Sequence, residues 1–214
     1  MDFELSRKEL VKRLTYEGRI KSHEVEKAFL EIPREVFIPD NIKRYAYLDT
    51  PLEIGQGQTI SAPHMVAIMV EALDLKKGQK VLEIGAGSGY HAAIVAKIVG
   101  KDGHVYTIER FSQLAVFAKN NLKKAKITNV TVEKGDGSEG LLKYSPYDRI
   151  YVTCAAPDIP QPLIEQLKDS GKLMIPIGQM ICNLELIEKK GNEIKTKNLG
   201  GCAFVPLVGK YGHK

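Results

Sequence analysis

Residues 80–89 read KVLEIGAGSG. Val81, Leu82 and Ile84 form a short apolar run of strand type, and glycine then recurs at 85, 87 and 89. Glycine lets the chain turn sharply and lets a ligand approach the backbone closely. The following stretch, YHAAIVAKIVG, reads as a helix that stops at Gly100. Its first amides point back at the turn, where a ligand could take hydrogen bonds from them. Strand, glycine turn and helix form the opening unit of an α/β sheet.

The spacing restricts the ligand. A dinucleotide fingerprint, GxGxxG, needs glycine at position 90, where this chain has Tyr90. That argues against a nicotinamide-dependent oxidoreductase. The pattern present is ExGxGxG, with Glu83 two residues before Gly85. An acid there does not suit a pyrophosphate. It suits a cofactor with a positive end, such as the amino acid moiety of S-adenosylmethionine.

Outward from the turn, strand and helix patterns alternate. HVYTIER, NVTVEKGDG, YDRIYVTCAA and KLMIPIG read as strands, and FSQLAVFAKNNLKKA and IPQPLIEQLKDSG read as helices, the second stopped by Gly171. Such alternation predicts a doubly wound, mostly parallel sheet covered on both faces. CNLELIEKKGNEIKTKNLGGCAFVPLVG reads as further strands joined by a Gly-Asn turn at 191–192. Ligands of such sheets bind at the carboxyl ends of the strands. Glu109 ends the second strand of the alternating series and can accept both ribose hydroxyls. Asp136, in Gly135-Asp136-Gly137 after the third, can accept from an adenine amino group. Three such groups on consecutive strands form a constellation that chance seldom assembles.

The chain before residue 76 has a different character. Ser6-x-x-Glu9 reads as a capping box opening a helix over 6–17 through Leu10, Val11 and Leu14. A second helix follows Ser22 and runs through Val25, Phe29 and Leu30 until Pro33 stops it. Residues 33–52 show no period and read as irregular but packed. GQGQTISAPHM, residues 55–65, is a polar loop without fixed charge ahead of a helix at about 62–74. The expectation is a helical portion, 1–75, packed on an α/β core, 76–214, as one structural domain.

Bulk composition is that of a soluble globular protein: 214 residues, 43% hydrophobic and 27% charged, with net charge +5. The lysines are scattered, so a nucleic-acid-binding tail is not expected, although a mild positive field favours an anionic substrate. MDFELSRKELVKRL carries no apolar signal region and no window reaches the ~20 apolar residues of a membrane span. A cytoplasmic location is expected. Cys154, Cys182 and Cys202 form no CxxC pair and read as small buried hydrophobes.

VLEIGAGSGYHAAIVA, VYTIER and KGDGSEG resemble the successive motifs of class I S-adenosylmethionine-dependent methyltransferases. More narrowly, YAYLDTPLEIGQGQTISAPHMVA, YDRIYVTCAAPDIPQPLIEQLKDSGKLMIPIG and FVPLVG resemble the protein-L-isoaspartate O-methyltransferase family, over about residues 6–209. Two features depart from the family pattern: Glu53 stands where proline is common, and Asp169-Ser170-Gly171 replaces a Pro-Gly-Gly turn.

The resemblance implies a Rossmann-like methyltransferase fold and the transfer of a methyl group to the free α-carboxylate of L-isoaspartyl residues in damaged proteins and peptides. The products are a methyl ester and S-adenosylhomocysteine, and no metal, nucleic acid or membrane is implied. It places the cofactor against Glu83, Gly85, Ala86, Gly87, Gly89, Glu109, Arg110, Asp136, Gly137 and His64. It places the substrate against Thr59, Ile60, Ser61, Ala155 and Val205, with Ser61 as the active-site serine. Read from its neighbours alone, Ser61 is first of all a helix cap before Ala62-Pro63, and the substrate role comes from the resemblance; the two can coexist. Tyr45 and Tyr47 read as packing residues that could also close the site. Another acceptor, such as RNA, keeps the cofactor residues and changes only the substrate.

Overall fold

The computed structural model describes residues 2–179, 181–191 and 193–214. Asn192 of the expected Gly-Asn turn therefore lies outside the described residues.

The first helix, α1 (Phe3–Tyr16), starts three residues earlier than the capping-box reading. Asp2 is its cap, accepting from the Leu5 amide at 3.0 Å, while Ser6 lies inside the first turn and donates back to the Asp2 carbonyl. A carboxylate at the true N-cap outcompetes a hydroxyl one turn later because it also meets the helix dipole. Leu10, Val11 and Leu14 form the buried stripe. Helix α2 (His23–Glu31) ends before Pro33 as expected, and buries Val25, Ala28 and Phe29 while Leu30 is partly exposed. Its cap residue Ser22 spends its hydroxyl elsewhere. That hydroxyl, with the Lys21 and Ser22 amides, converges on Glu71 Oε1 at 2.8–3.0 Å. This ties the start of α2 to helix α3 (Pro63–Leu73).

Between them, two 3-10 turns, Arg34–Phe37 and Asp40–Tyr45, form the irregular packed stretch. The polar loop is more ordered than its composition suggests. Strands β1 (Leu52–Gly55) and β2 (Gln58–Ile60) pair as an antiparallel hairpin. Its turn residues Gln56 and Gly57 both have positive φ, 56° and 68°, the geometry of a two-residue hairpin turn that matches strand twist.

The main sheet contains β3 (Lys80–Ile84), β4 (His104–Glu109), β5 (Val130–Lys134), β6 (Tyr147–Val152), β7 (Leu167–Gly178), β8 (Cys182–Lys190) and β9 (Glu193–Cys202), ordered β5-β4-β3-β6-β7-β8-β9. β3 to β7 run parallel, and β8 and β9 add antiparallel strands at one edge. Helices α4 (Tyr90–Val99), α5 (Ser112–Lys124) and α6 (Gln161–Glu165) connect the parallel strands. Helix α6 is shorter than expected. Gly171 does not stop it but lies inside β7, after Ser170 at φ 60°, and a Cβ at Gly171 would press on Leu167.

Both faces of the central strands are buried. Leu82 and Ile84 of β3 pack with Leu163 and Leu167 on one face. Val81, on the other face, joins a cluster that includes α4, α3 and the helices before the sheet. Tyr90 of α4 meets Phe29 edge-on at 6.4 Å and Phe37 at 5.6 Å between ring centroids. The helical portion thus packs directly on the core.

Candidate active site

From β3 the chain moves first to β4 and β5 on one side, then to β6 and β7 on the other, so the strand order reverses beside β3. A crevice opens at the carboxyl ends of the strands at such a point. Here it is a cavity of about 780 Å³, counting its open mouth. Ile60 and Ser61 form one wall, the turn at 85–88 another, Glu109–Phe111 a third, and Val205–Val208 close the far side.

The glycine turn needs its glycines. Gly85, Gly87 and Gly89 have φ of 95°, 52° and 85°. A Cβ at Gly85 would collide with the Thr153 hydroxyl, which donates to the Ile84 and Gly85 carbonyls at 3.0 and 2.7 Å. Gly89 caps α4, and its Cα faces Ala118 and Leu122 of α5 rather than the cavity.

The acids at the strand ends sit in different surroundings. Glu109 is fixed by two amides: Gly87 donates to Oε2 at 3.0 Å and Phe111 to Oε1 at 2.9 Å. Glu83 is fully buried and, among the described residues, accepts a well-formed hydrogen bond only from Thr107 Oγ1, at 2.5 Å on Oε2; the Tyr151 hydroxyl lies near the carboxyl without completing a sound bond to Oε1. Burial pushes its pKa up to about 8, against the opposing pull of Thr107 and the nearby Tyr151. Asp136 does not line the cavity. Burial would raise its pKa, but donation from the Lys210 amide, the Ser138 hydroxyl and the Ser138 amide, at 2.7, 2.7 and 2.9 Å, holds it below the usual value. Its neighbour Gly137 does line the cavity, as does Arg110, whose guanidinium lies 4.9 Å from the Phe111 ring centroid.

On the opposite wall, Thr59, Ile60 and Ser61 line the cavity together. Ser61 does not cap α3; that position belongs to Ala62. Its hydroxyl makes no hydrogen bond among the described residues, and its carbonyl accepts from Arg34 Nη2 at 2.9 Å. Arg34 is fully buried, donates through Nε to the Ala46 carbonyl at 2.9 Å, and lies over Tyr90 at 4.9 Å.

His64 is not among the residues that line the cavity. Its amide and Nδ1 both reach Asp49 Oδ1 at 2.9 Å, so its job here is to pin α3 to the preceding loop. Ala155 is buried behind the wall. Its amide donates to Val205 at 2.8 Å and its carbonyl accepts from Leu207 at 2.7 Å, which sets Val205 in the lining. Tyr47 hydrogen-bonds Glu35 and accepts from Arg7, a packing role. Sequence reasoning missed Arg34, Thr153 and His91. A histidine in the first turn after the glycines was the one available sign of His91; Arg34 and Thr153 left none. Among the described residues, no cluster of three His, Cys, Asp or Glu is placed to hold a metal. The poorly paired Glu83 Oε1 and the glycine-rich turn, with only the small side chains of Ala86 and Ser88, fit a ligand with a cationic end lying on the backbone.

Residues 5–212 match the family model described as protein-L-isoaspartate(D-aspartate) O-methyltransferase. A protein-L-isoaspartate O-methyltransferase of Methanococcus aeolicus is 58% identical over 203 residues, 95% of this chain and 94% of that one. One of Pyrococcus horikoshii is 55% identical over 208 residues, 96% and 94% of the two chains. A solved protein-L-isoaspartate O-methyltransferase superposes with TM-score 0.89 at 34% identity, covering 96% of this chain and 67% of that one. A candidate enzyme of the same description from Plasmodium falciparum, in complex with S-adenosyl-L-homocysteine, superposes with TM-score 0.83 at 30% identity, covering 94% and 98%.

Proposed function

The chain belongs to the protein-L-isoaspartate O-methyltransferase family, and from that premise we propose which of its residues perform each part of the reaction. The enzyme transfers a methyl group from S-adenosyl-L-methionine to the free α-carboxylate of L-isoaspartyl residues, giving a methyl ester and S-adenosylhomocysteine. The ester then closes to a succinimide without the enzyme, and hydrolysis returns part of the chain to normal aspartyl linkage, which is repair.

Glu83 with the turn at Gly85–Gly87 holds the amino acid end of the cofactor, and Glu109 accepts the ribose hydroxyls. Gly137 and Arg110 lie alongside the adenine. Bound there, the cofactor supplies an electrophilic sulfonium methyl. An α-carboxyl group ordinarily titrates near pH ~3.5, so the substrate carboxylate is ionised at neutral pH and attacks without a general base. The protein's task is to orient it and exclude water, a contribution of up to ~7–11 kcal/mol. A lysine clamp would hold the carboxylate but damp its nucleophilicity. The neutral Ser61 hydroxyl, free of other partners, orients it more gently, with Thr59 and Ile60 offering backbone groups. Val205, held by Ala155, forms the wall along which the substrate main chain lies. His64 supports the Ser61 wall from outside through Asp49.

One observation carries this assignment: Ser61 and Glu83 face the same cavity from different walls. We take isoaspartyl proteins and peptides as the partners, without nucleic acid, and the cytoplasm as the location. Residues 1–75 form the substrate-facing portion and 76–214 the cofactor-binding core.

The test uses methyl-labelled S-adenosylmethionine and two peptides of one sequence, differing only in an aspartyl or L-isoaspartyl bond. Base-labile methyl ester on the isoaspartyl peptide alone is the expected result. Label on neither peptide, with cofactor still bound, would send the search for the acceptor to RNA.

A further inference from the structure

Among the described residues, four polar atoms on three side chains lie without a well-formed hydrogen bond beside the cavity: Glu83 Oε1, the Tyr151 hydroxyl and both ring nitrogens of His91. All three side chains are more than nine-tenths buried. Tyr151 and Glu83 feel each other without forming a well-aligned hydrogen bond, and buried polar atoms so poorly paired mark a place completed by something else.

The three residues meet from three elements. Glu83 on β3 and Tyr151 on β6 are direct register partners. His91, in the first turn of α4, lays its ring 4.5 Å from that of Tyr151, tilted by 38°. Glu83 and His91 both line the cavity. The other groups around Glu83 are Thr107 and Glu109 from β4 and Cys154 beyond β6. Among the described residues, none of the groups acting on it is a cation. A carboxyl so placed is not kept ionised; it takes up a proton.

We propose that Glu83 meets the cofactor as a carboxylic acid and holds it as a carboxylate, releasing its proton through the cavity mouth when the cofactor's ammonium group docks beside Oε1. The inference rests on reading this cavity as the cofactor site. The Glu83 O–H bond breaks, its electron pair stays on the carboxylate, and the proton passes to the buffer. Tyr151 then donates to the ionised Oε1, and the neutral imidazole of His91 offers one donor and one acceptor to the ligand's amino acid end. Burial, which pushes the free Glu83 up to about 8 and His91 down to about 3, agrees with this arrangement. Cofactor affinity consequently rises with pH toward about 8 and levels beyond it.

The experiment is calorimetry of S-adenosylhomocysteine binding at pH 7 in buffers of different ionisation enthalpy. A group with a pKa of about 8 is mostly protonated at that pH, so the wild-type enzyme releases the greater part of one proton per ligand bound. Glu83→Gln releases none. If that variant binds too weakly to measure, 5′-methylthioadenosine replaces it as the control: it lacks the amino acid end and binds wild type without proton release. Buffer-independent heat for the wild type overturns the proposal, and so does equal proton release by Glu83→Gln or with methylthioadenosine. Absence of any binding by S-adenosylhomocysteine overturns the cofactor reading itself, a separate result.

Discussion

Arg34 Nη2 donates to the main-chain carbonyl of Ser61 at 2.9 Å, across 27 residues of chain. The same guanidinium holds the Ala46 carbonyl through Nε and lies over Tyr90, the first residue of α4. One buried cation thus joins the wall that carries Ser61 to the helix that follows the glycine turn. Losing a hydrogen bond to a charged group costs about 1.5–3 kcal/mol, or roughly 10- to 150-fold in an equilibrium. Arg34→Ala is expected to lower kcat/KM for an isoaspartyl peptide by about that factor, and Arg34→Lys by less. S-adenosylhomocysteine affinity should stay within about threefold, measured by calorimetry. Equal loss of peptide turnover and ligand affinity would make Arg34 a general element of the fold instead.

Ser61→Ala tests the hydroxyl alone. Donors aimed at a reacting oxygen are worth about 10²- to 10³-fold in turnover. Turnover is expected to fall toward that range with ligand affinity unchanged. Because Ala62 caps α3 and the Ser61 hydroxyl caps nothing, thermal stability should change by less than about 0.5 kcal/mol. A drop nearer the ~1 kcal/mol of a lost cap would restore the capping role.

Stability without ligand should depend on pH through Glu83 and His91 in opposite senses. Glu83, raised from 4.5 to about 8, binds a proton in the folded state that the unfolded chain has lost, so its contribution declines as pH rises through that window. His91, lowered from 6.5 to about 3, is neutral when folded, so its contribution declines as pH falls through that window. Between about 4.5 and 6.5 the two slopes cancel. Thermal unfolding of Glu83→Gln should therefore lose the decline from pH 6.5 to 8, and His91→Gln the decline below 4.5. Unchanged curves in both variants would remove the cluster from the pH response.

Gly85→Ala places a methyl group against the Thr153 hydroxyl at φ 95°, a region that L side chains rarely adopt. A backbone strained in this way costs about 1–3 kcal/mol. The expected result is weakened ligand binding with partial recovery in Gly85→Ala/Thr153→Ala, which opens the space but leaves the strained φ.

At saturating cofactor, methyl transfer should be flat between about pH 6 and 8, because an ionised carboxylate needs no base. A sharp loss near pH ~6.5 would give a histidine a proton-transfer role.

The glycine turn, Glu109 and the alternating sheet were legible because each is set by local geometry: a positive φ, or an acid at a strand end. The hairpin β1–β2 was not, since Gln56 at φ 56° carries none of the usual Asn-Gly signature. Gly171 misled because a glycine after a helical pattern reads as a stop, whereas this one sits in β7 against Leu167. Asp2 was overlooked beside the fuller capping box at Ser6. Asp136 was correctly placed at a strand end, but its carboxylate is shared with Lys210, a partner far along the chain. Arg34 and His91 leave no periodic trace, because what singles them out is the company they keep after folding.

The wall made by Val205 and Leu207 hangs on the two main-chain atoms of Ala155. Those residues follow every strand of the sheet, whereas the glycine turn belongs to its first strand. During synthesis on the ribosome the turn therefore emerges long before the wall that closes its cavity. The closed form of the cavity exists only once this last segment has docked on Ala155.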